Sequence, residues 1–316
     1  MRYQLGGLMA LPGSINFAQE ILLDGLREKE TRLVQCRNQV GIRNWQGVDM
    51  KVLQSNPIPL EPANLIADFL ANGASPTIRA DGASVIETFQ AGELFALESV
   101  TITERDRYRA PNNLTDIIKE YALKRCDYLW WFAIVNTNAI TEGSFRGLPQ
   151  IVPATQTVDN GGIAPDIDKI DEAQMLLTTS SGKNGFWMVN RRGYRAFKKA
   201  LRSVPAGMVK MMTVSVPDAK GNPVLKDVLS YDGFPILVND FIPITDDTPG
   251  PENMTDFWLI DPTAVYGFSP DNGPVVKVRE ETVITGGSEI FVSANWTVGL
   301  AVQQTCGVAR LSNVLV

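Results

Sequence analysis

The sequence contains no histidine in its 316 residues. Ser–His–Asp and Cys–His catalysis therefore cannot be built from it. Three cysteines, Cys36, Cys126 and Cys306, cannot close a four-ligand structural zinc site without histidine. They are odd in number and far apart, which implies a reducing compartment and no disulfide framework. No apolar run approaches the ~18 residues of a membrane span, so no membrane partner is expected. The opening MRYQLGGLMALPGS is too short and glycine-rich for a secretory signal. A phosphate loop is lacking too. Ser181-Gly182-Lys183 has no earlier glycine at the required spacing, and Asn184 stands where Ser or Thr would bind magnesium. Basic excess is absent, with 29 Lys and Arg against 35 Asp and Glu and a net charge of −6. Nucleic-acid binders draw most of their affinity from phosphate contacts, so this balance argues against DNA binding by the whole surface. Together these absences, with no carboxylate pair at useful spacing, disfavour a small α/β enzyme and imply no cofactor.

What is present is 44% hydrophobic and 20% charged, a globular composition with mass enough for two cores. The longest periodic stretch runs from Asn113 to Ala139. Leu114, Ile117, Ile118, Tyr121, Ala122, Cys126, Leu129 and Phe132 recur at steps of three and four, one face of an α-helix. Asn113 is suited to cap its free N–H groups. About 26 residues give a rod of roughly 40 Å, twice an ordinary globular helix. Tyr128, Trp130 and Trp131 are surplus to one stripe and call for a second partner, either another strand of the same layer or an adjacent subunit.

The second long element is a strand. Ile290, Val292, Ala294, Trp296, Val298, Leu300 and Val302 alternate strictly with other residues. These positions extend roughly 43 Å, which predicts that helix and strand pack along their whole length. Val276, Val278 and the Gly286-Gly287 break predict a partner strand joined by a hairpin. Upstream, Ser84–Gln90 and Glu93–Thr103 read as strands with a bend at Ala91-Gly92, a long hairpin with more apolar residues than one solvated face needs. Residues 14–36 read as an amphipathic helix or an extended arm, and 62–71 as a short helix.

Between the long elements, types alternate: a helix from about Asp166 to Thr179, a strand at Phe186–Val189, and a helix from about Arg191 to Val204. That order predicts a compact α/β unit, with buried strands at Phe234–Val238 and Phe257–Ile260. Asp166, Asp168 and Asp171 resemble a calcium loop only loosely, since Asp171 stands where glycine is required, and read as helix-start acids. Asn295-Trp296-Thr297 is a formal glycosylation sequon inside the long strand and carries little weight.

Two basic sets stand out. Arg191, Arg192, Arg195, Lys198, Lys199 and Arg202 face away from an apolar stripe of Tyr194, Phe197, Leu201 and Val204. This is a solvated face or one that meets a protein neighbour rather than DNA, since no aromatic residue interleaves the cations. Arg105, Arg107 and Arg109, spaced by two, would share one side of an extended segment and form a salt-bridge row in an assembly. Arg105, Arg107, Arg109, Trp130, Trp131, Arg191, Arg192 and Arg195 are the candidate subunit-interface residues.

The order of these elements resembles the major capsid proteins of tailed bacteriophages, the Hong Kong 97 fold. Ser144-Phe145-Arg146-Gly147-Leu148-Pro149 is similar to the segment after that family's spine helix. Phe186–Asn190, Gly233–Val238 and Phe257–Asp261 with Pro262-Thr263-Ala264 are similar to its axial-domain strands. Trp296–Val302 through Ala309-Arg310-Leu311 is similar to its closing strands. The resemblance covers about residues 84–316; earlier it rests on order alone. It implies an α+β fold with a long spine helix (113–139) packed on long antiparallel strands, an extended β-hairpin loop and a small mixed α/β axial domain. The implied division is an N-terminal arm (1–39), an extended-loop region (40–105), a peripheral domain (106–155 and 255–300) and an axial domain (156–254 and 301–316). The segment near Gly273–Gly287 would be the peripheral-loop hairpin at local threefold contacts. The implied function is non-enzymatic assembly: hexamers and pentamers closing into an icosahedral head around double-stranded DNA, formed in the host bacterial cytoplasm and found in the virion. Little room is left for a fused scaffolding segment, which implies a separate scaffolding protein, assembly without one, or a chain already trimmed, the last disfavoured by Met1. A portal, decoration proteins and weak proximity to packaged DNA complete the implied partners. An encapsulin-like compartment of the same fold is the alternative.

Overall fold

A computed structural model describes residues 33–47, 49–55, 84–101, 114–136, 145–177, 185–205, 207–217, 223–246, 253–271, 273–283 and 287–316. Most of the expected arm helix, the expected helix at 62–71, the turn at Ser181–Asn184, and Arg105, Arg107 and Arg109 lie outside the described residues.

In chain order the first elements are β1 (Ile42–Asn44), β2 (Asp49–Ser55), β3 (Ser84–Gln90), β4 (Gly92–Thr101), α1 (Leu114–Val135) and α2 (Leu148–Ile151). Next come β5 (Thr157–Asp159), α3 (Ile167–Leu176), β6 (Phe186–Val189), α4 (Arg191–Ala200), β7 (Val209–Pro217) and β8 (Pro223–Tyr231). The chain closes with β9 (Phe234–Val238), β10 (Ile244–Asp246), β11 (Asn253–Ile260), β12 (Val265–Ser269), β13 (Val275–Val283), β14 (Gly287–Val302) and β15 (Val308–Leu315).

The long strand is the axis of a five-stranded sheet. β14 pairs antiparallel with β13, with β4 from Glu289 to Val298, and with β12 from Gly299 to Val302. Its seven alternating apolar residues are all buried. The strand period places them on one face, and α1 lies on it. The Cys126 thiol donates to the Ala294 carbonyl at 3.3 Å, and the Trp130 ring lies 5.8 Å from Trp296. A Cβ on Gly267 would stand 2.9 Å from the Trp130 ring, so β12 passes close under the helix only as glycine.

The helix is shorter than expected. It spans 22 residues, roughly 33 Å. Asn136 leaves it, and its amide donates to the Phe132 and Phe241 carbonyls, at 2.8 and 3.2 Å. The strand is longer, 16 residues, because Gly287–Glu289 continue the pairing with β13. The return after α1 is equally tight. A Cβ on Gly147 would stand 2.5 Å from the Ala133 carbonyl oxygen, which accounts for glycine before Leu148-Pro149.

The hairpin bend at Ala91-Gly92 is a correction. β3 pairs with β2, not β4, and β4 joins β14. One residue cannot form a hairpin loop, which needs at least two. At Ala91 the chain instead passes from a two-stranded ribbon into the sheet. Residues 207–256 read from sequence as strands and turns, and within them β7 and β8 pair antiparallel from Val209 opposite Tyr231 to Pro217 opposite Pro223.

The second sheet has eight strands in the order β5-β15-β11-β6-β9-β8-β7, with β10 paired to β11. Its central strands are continuous apolar runs because both faces are covered. Phe186, Met188, Leu237, Trp258 and Ile260 join the core that includes α1 and α2. The alternating residues Trp187, Val189, Ile236, Phe257 and Leu259 join a second core under α3 and α4. There Phe197 of α4 stacks on Phe257 at 5.6 Å and meets Trp187 edge-on at 5.6 Å. The helix-start reading of the aspartates holds: the Asp166 side chain accepts the Asp168 N–H at the start of α3.

A short strap joins the two sheets. Leu33 and Asp240 exchange bonds, the Leu33 N–H donating to the Asp240 carboxylate (2.8 Å) and the Asp240 N–H to the Leu33 carbonyl (2.9 Å). The Gln39 amide donates to the Ser215 carbonyl on β7 at 3.0 Å. Arg37 then reaches α1, pairing with Asp127 and lying over the Tyr128 ring. From there the chain enters β1, which pairs with β12 in the other sheet.

Trp130 and Trp131 are 1% and 0% exposed. As subunit-interface candidates they are corrected: their second partner lies within the chain. Trp131→Ala is expected to destabilise the unassembled subunit by about 3–5 kcal/mol, through lost transfer energy plus a cavity. Denaturant unfolding measures this, and a change below about 1 kcal/mol would contradict the core assignment.

Burial pushes the Asp127 carboxyl up to about 6, while the Arg37 guanidinium pulls it down less strongly. The folded chain therefore binds more protons than the unfolded chain between about pH 4 and 6, and stability falls as pH rises through that window. Wild type is expected to lose up to about 3 kcal/mol from pH 4 to 7 that Asp127→Asn does not lose. Parallel pH profiles of unfolding free energy for the two proteins would refute this.

Candidate assembly surfaces

α4 carries the basic face. Its start is built by Asn190, whose side-chain oxygen accepts the Gly193 N–H at 2.6 Å while its amide donates to Thr255 Oγ1 at 2.6 Å. Two arginines at a helix N-terminus oppose its dipole by a few tenths of a kcal/mol each. Both find partners: Arg191 donates to Asp240 at 2.7 Å, and Arg192 to the Asn253 side-chain oxygen at 3.0 Å. Arg191 and Arg192 are thus tied to their own chain. Arg195, Lys198, Lys199 and Arg202 point outward, exposed, and make no ion pair among the described residues.

The ribbon of β2 and β3 is the second surface. It pairs from Asp49 opposite Gln90 to Ser55 opposite Ser84, and with no other strand among the described residues. An isolated two-stranded ribbon is marginal in water, so its base must be anchored. Met50, Val52 and Phe89 are buried there. Arg146, just after α1, clamps the same place. It donates to Glu87 at 2.8 Å and to the Thr88 carbonyl at 3.1 Å, with its guanidinium 5.5 Å from the Phe89 ring centre. Arg146 sits in the segment matched to the capsid family, but nothing in the sequence marked it as an anchor.

Exposed apolar residues form two further patches. A groove of about 430 Å³ lies between β4 and α1, lined by Phe95, Leu97, Tyr128, Leu129, Phe132 and Phe241. The excess apolar content read in the 84–104 strands divides here: Phe89 and Leu94 are buried in the chain, whereas Phe95 and Leu97 are half exposed. On the β7–β8 hairpin, Met211 and Leu225 are exposed at 62% and 72%. Surfaces of this kind on a soluble fold mark places where another surface docks. The predicted residues do not converge on one site: the tryptophans are in a core, and the α4 arginines lie on the far layer of the second sheet.

Among the described residues no cluster of three or more Cys, Asp or Glu side chains is arranged to hold a metal ion. No described helix is long and apolar enough to cross a membrane.

No protein-family model and no curated protein matches the sequence. Solved structures do match in fold. The holo-SrpI encapsulin complex from Synechococcus elongatus PCC 7942 aligns over 88% of this chain and 86% of its own, with a TM-score of 0.60 and 16% identity. The capsid of a native GTA particle aligns over 89% and 90%, with a TM-score of 0.55 and 13% identity. Gordonia phage Cozz aligns over 90% and 87%, with a TM-score of 0.52 and 14% identity. The chain has the Hong Kong 97-type capsid fold, α+β, with a long helix on long antiparallel strands.

Arg146→Ala is expected to loosen the ribbon without unfolding the chain, since an exposed ion pair contributes about 1 kcal/mol or less. Hydrogen exchange should rise several-fold for the β2 and β3 amides and stay unchanged in β14. Unaltered ribbon exchange would show that the clamp is not needed.

Proposed function

We propose that this chain is the major capsid protein of a tailed bacteriophage, assembling as hexamers and pentamers into an icosahedral head around double-stranded DNA. The carrying observation is the near full-length correspondence of its fold to shell subunits of phage, GTA and encapsulin particles. The physical layout agrees with this reading. A rigid helix-on-sheet slab, an anchored ribbon and exposed apolar patches suit a subunit that bonds to neighbours over broad surfaces. A head interior must tolerate DNA without gripping it, and the net charge of −6 suits that.

In this reading 1–39 is the arm, 40–105 the extended-loop region, 106–155 with 255–300 the peripheral domain, and 156–254 with 301–316 the axial domain. The chain acts by assembly rather than catalysis, in the host cytoplasm and then the virion. A separate scaffolding protein, a portal and decoration proteins are its proposed partners beyond other copies of itself. The encapsulin likeness supports a second reading, a protein-loaded compartment.

Electron microscopy of the expressed full chain is expected to reveal uniform shells or capsomer rings. A dispersed monomer at high concentration would defeat both readings. Particles from the native source are expected to protect genome-length DNA from nuclease; particles filled with protein and free of DNA would favour the compartment.

A further inference from the structure

We propose that the outer face of α4 and a carboxylate cluster around α3 are the two halves of a head-to-tail contact between adjacent copies of this chain in a capsomer ring. This inference rests on the shell reading and assigns the residues that set ring order.

The charge distribution is lopsided. The stretch 191–202 holds six cations and no carboxylate. Taking those six from 29 leaves 23 against 35 carboxylates, so the remainder of the chain carries −12. Arg191 and Arg192 are satisfied internally, which leaves Arg195, Lys198, Lys199 and Arg202 as an outward row. Cations spaced three and four apart share one helix face.

The opposite charge gathers nearby in the fold. Asp168 and Glu172 are exposed on α3, and Asp232 is exposed in the turn between β8 and β9. The Tyr231 hydroxyl donates to Asp171 at 2.7 Å. Its ionisation is pushed up, first by burial and then by Asp171, Asp232 and Asp168, which places these carboxylates around one point. One cation is present, Lys169, and it is engaged by Glu172 at 2.7 Å. Among the described residues no ion pair joins this cluster to the outer row of α4.

Placement makes the two faces partners between chains. α3 and α4 cover the same face of the eight-stranded sheet, since Ile170, Ala173, Phe197 and Leu201 share one core. Rotation about a ring axis normal to that layer keeps each helix at its own height. A positive face on one copy can then meet a negative face in the same layer of the next. Such a contact joins two different patches, and contacts of that kind close into rings when the rotation allows. Its role is to orient and exclude wrong pairings more than to supply bulk affinity, because exposed ion pairs are individually weak. DNA is the competing occupant of the basic row, and the test separates it.

The test uses the full chain in three forms: Arg195→Glu with Lys199→Glu, Asp168→Lys with Glu172→Lys, and all four changes together. Sedimentation and electron microscopy measure the assembled fraction in 50 mM and 500 mM salt; thermal unfolding and co-purifying DNA are recorded alongside. Each double reversal is expected to lower assembly at least tenfold without shifting the unfolding temperature, and the fourfold variant to recover it. Wild-type assembly is expected to weaken in the higher salt. Double reversals that assemble like wild type, or a fourfold variant that stays dispersed, would overturn the contact. So would an α4 reversal that strips DNA while leaving shells intact. If wild type itself forms no shells, the shell reading falls and this contact with it; shells in wild type with no charge-swap rescue remove the contact alone.

Discussion

The seating of α1 on β14 is the constraint on which the rest depends. A strand of alternating apolar residues offers one continuous face, and a helix with a matching stripe covers it. Trp130, Trp131 and Trp296 fill the space between them, so the two elements cannot slide without breaking dense ring contacts. β4, β12 and β13 are held by pairing with β14, and α2 is set by the close passage of Gly147 under the end of α1. The ribbon is anchored in turn by Arg146, which follows directly from that passage.

The chain crosses between the two sheets at 261–264 and 303–307, and a strap adds a non-covalent link. The strap at 33–44 bonds to β7 and to the end of β9, crosses α1 and enters the first sheet. Its Arg37–Asp127 pair is partly buried, and there desolvation outweighs the attraction and raises the carboxyl.

Polarity is divided across the molecule in a way that suits assembly. Among the described residues the cores hold five of the tryptophans and most of the phenylalanines, whereas Phe95, Leu97, Leu129, Met211 and Leu225 remain outside. Charge is also segregated, with a basic helix and a carboxylate-rich one over the same sheet face and no ion pair between them among the described residues.

Local periodicity by itself determined much of this. The long helix, the long strand with its β13 partner, the short apolar strands and the two helices of the second layer were legible from their own repeats, although the helix buries Ala122, Cys126 and Trp130 while Leu129 of the expected stripe is 40% exposed. Absent histidine likewise bounded the chemistry before any fold was known. Tertiary structure alone decided the rest. Whether β3 pairs with β2 or β4 depends on which distant strand completes the register, and Ser84–Thr103 alternates equally well for both. Trp130 and Trp131 read as surplus because a helix stripe is counted from one helix; the partners of Trp130, Trp296 and the backbone of Gly267, lie far along the chain. The exposed row of α4 could be read from spacing, but its division into Arg191 and Arg192, satisfied within the chain, and the outward-facing Arg195 required knowing where Asp240 and Asn253 come to rest.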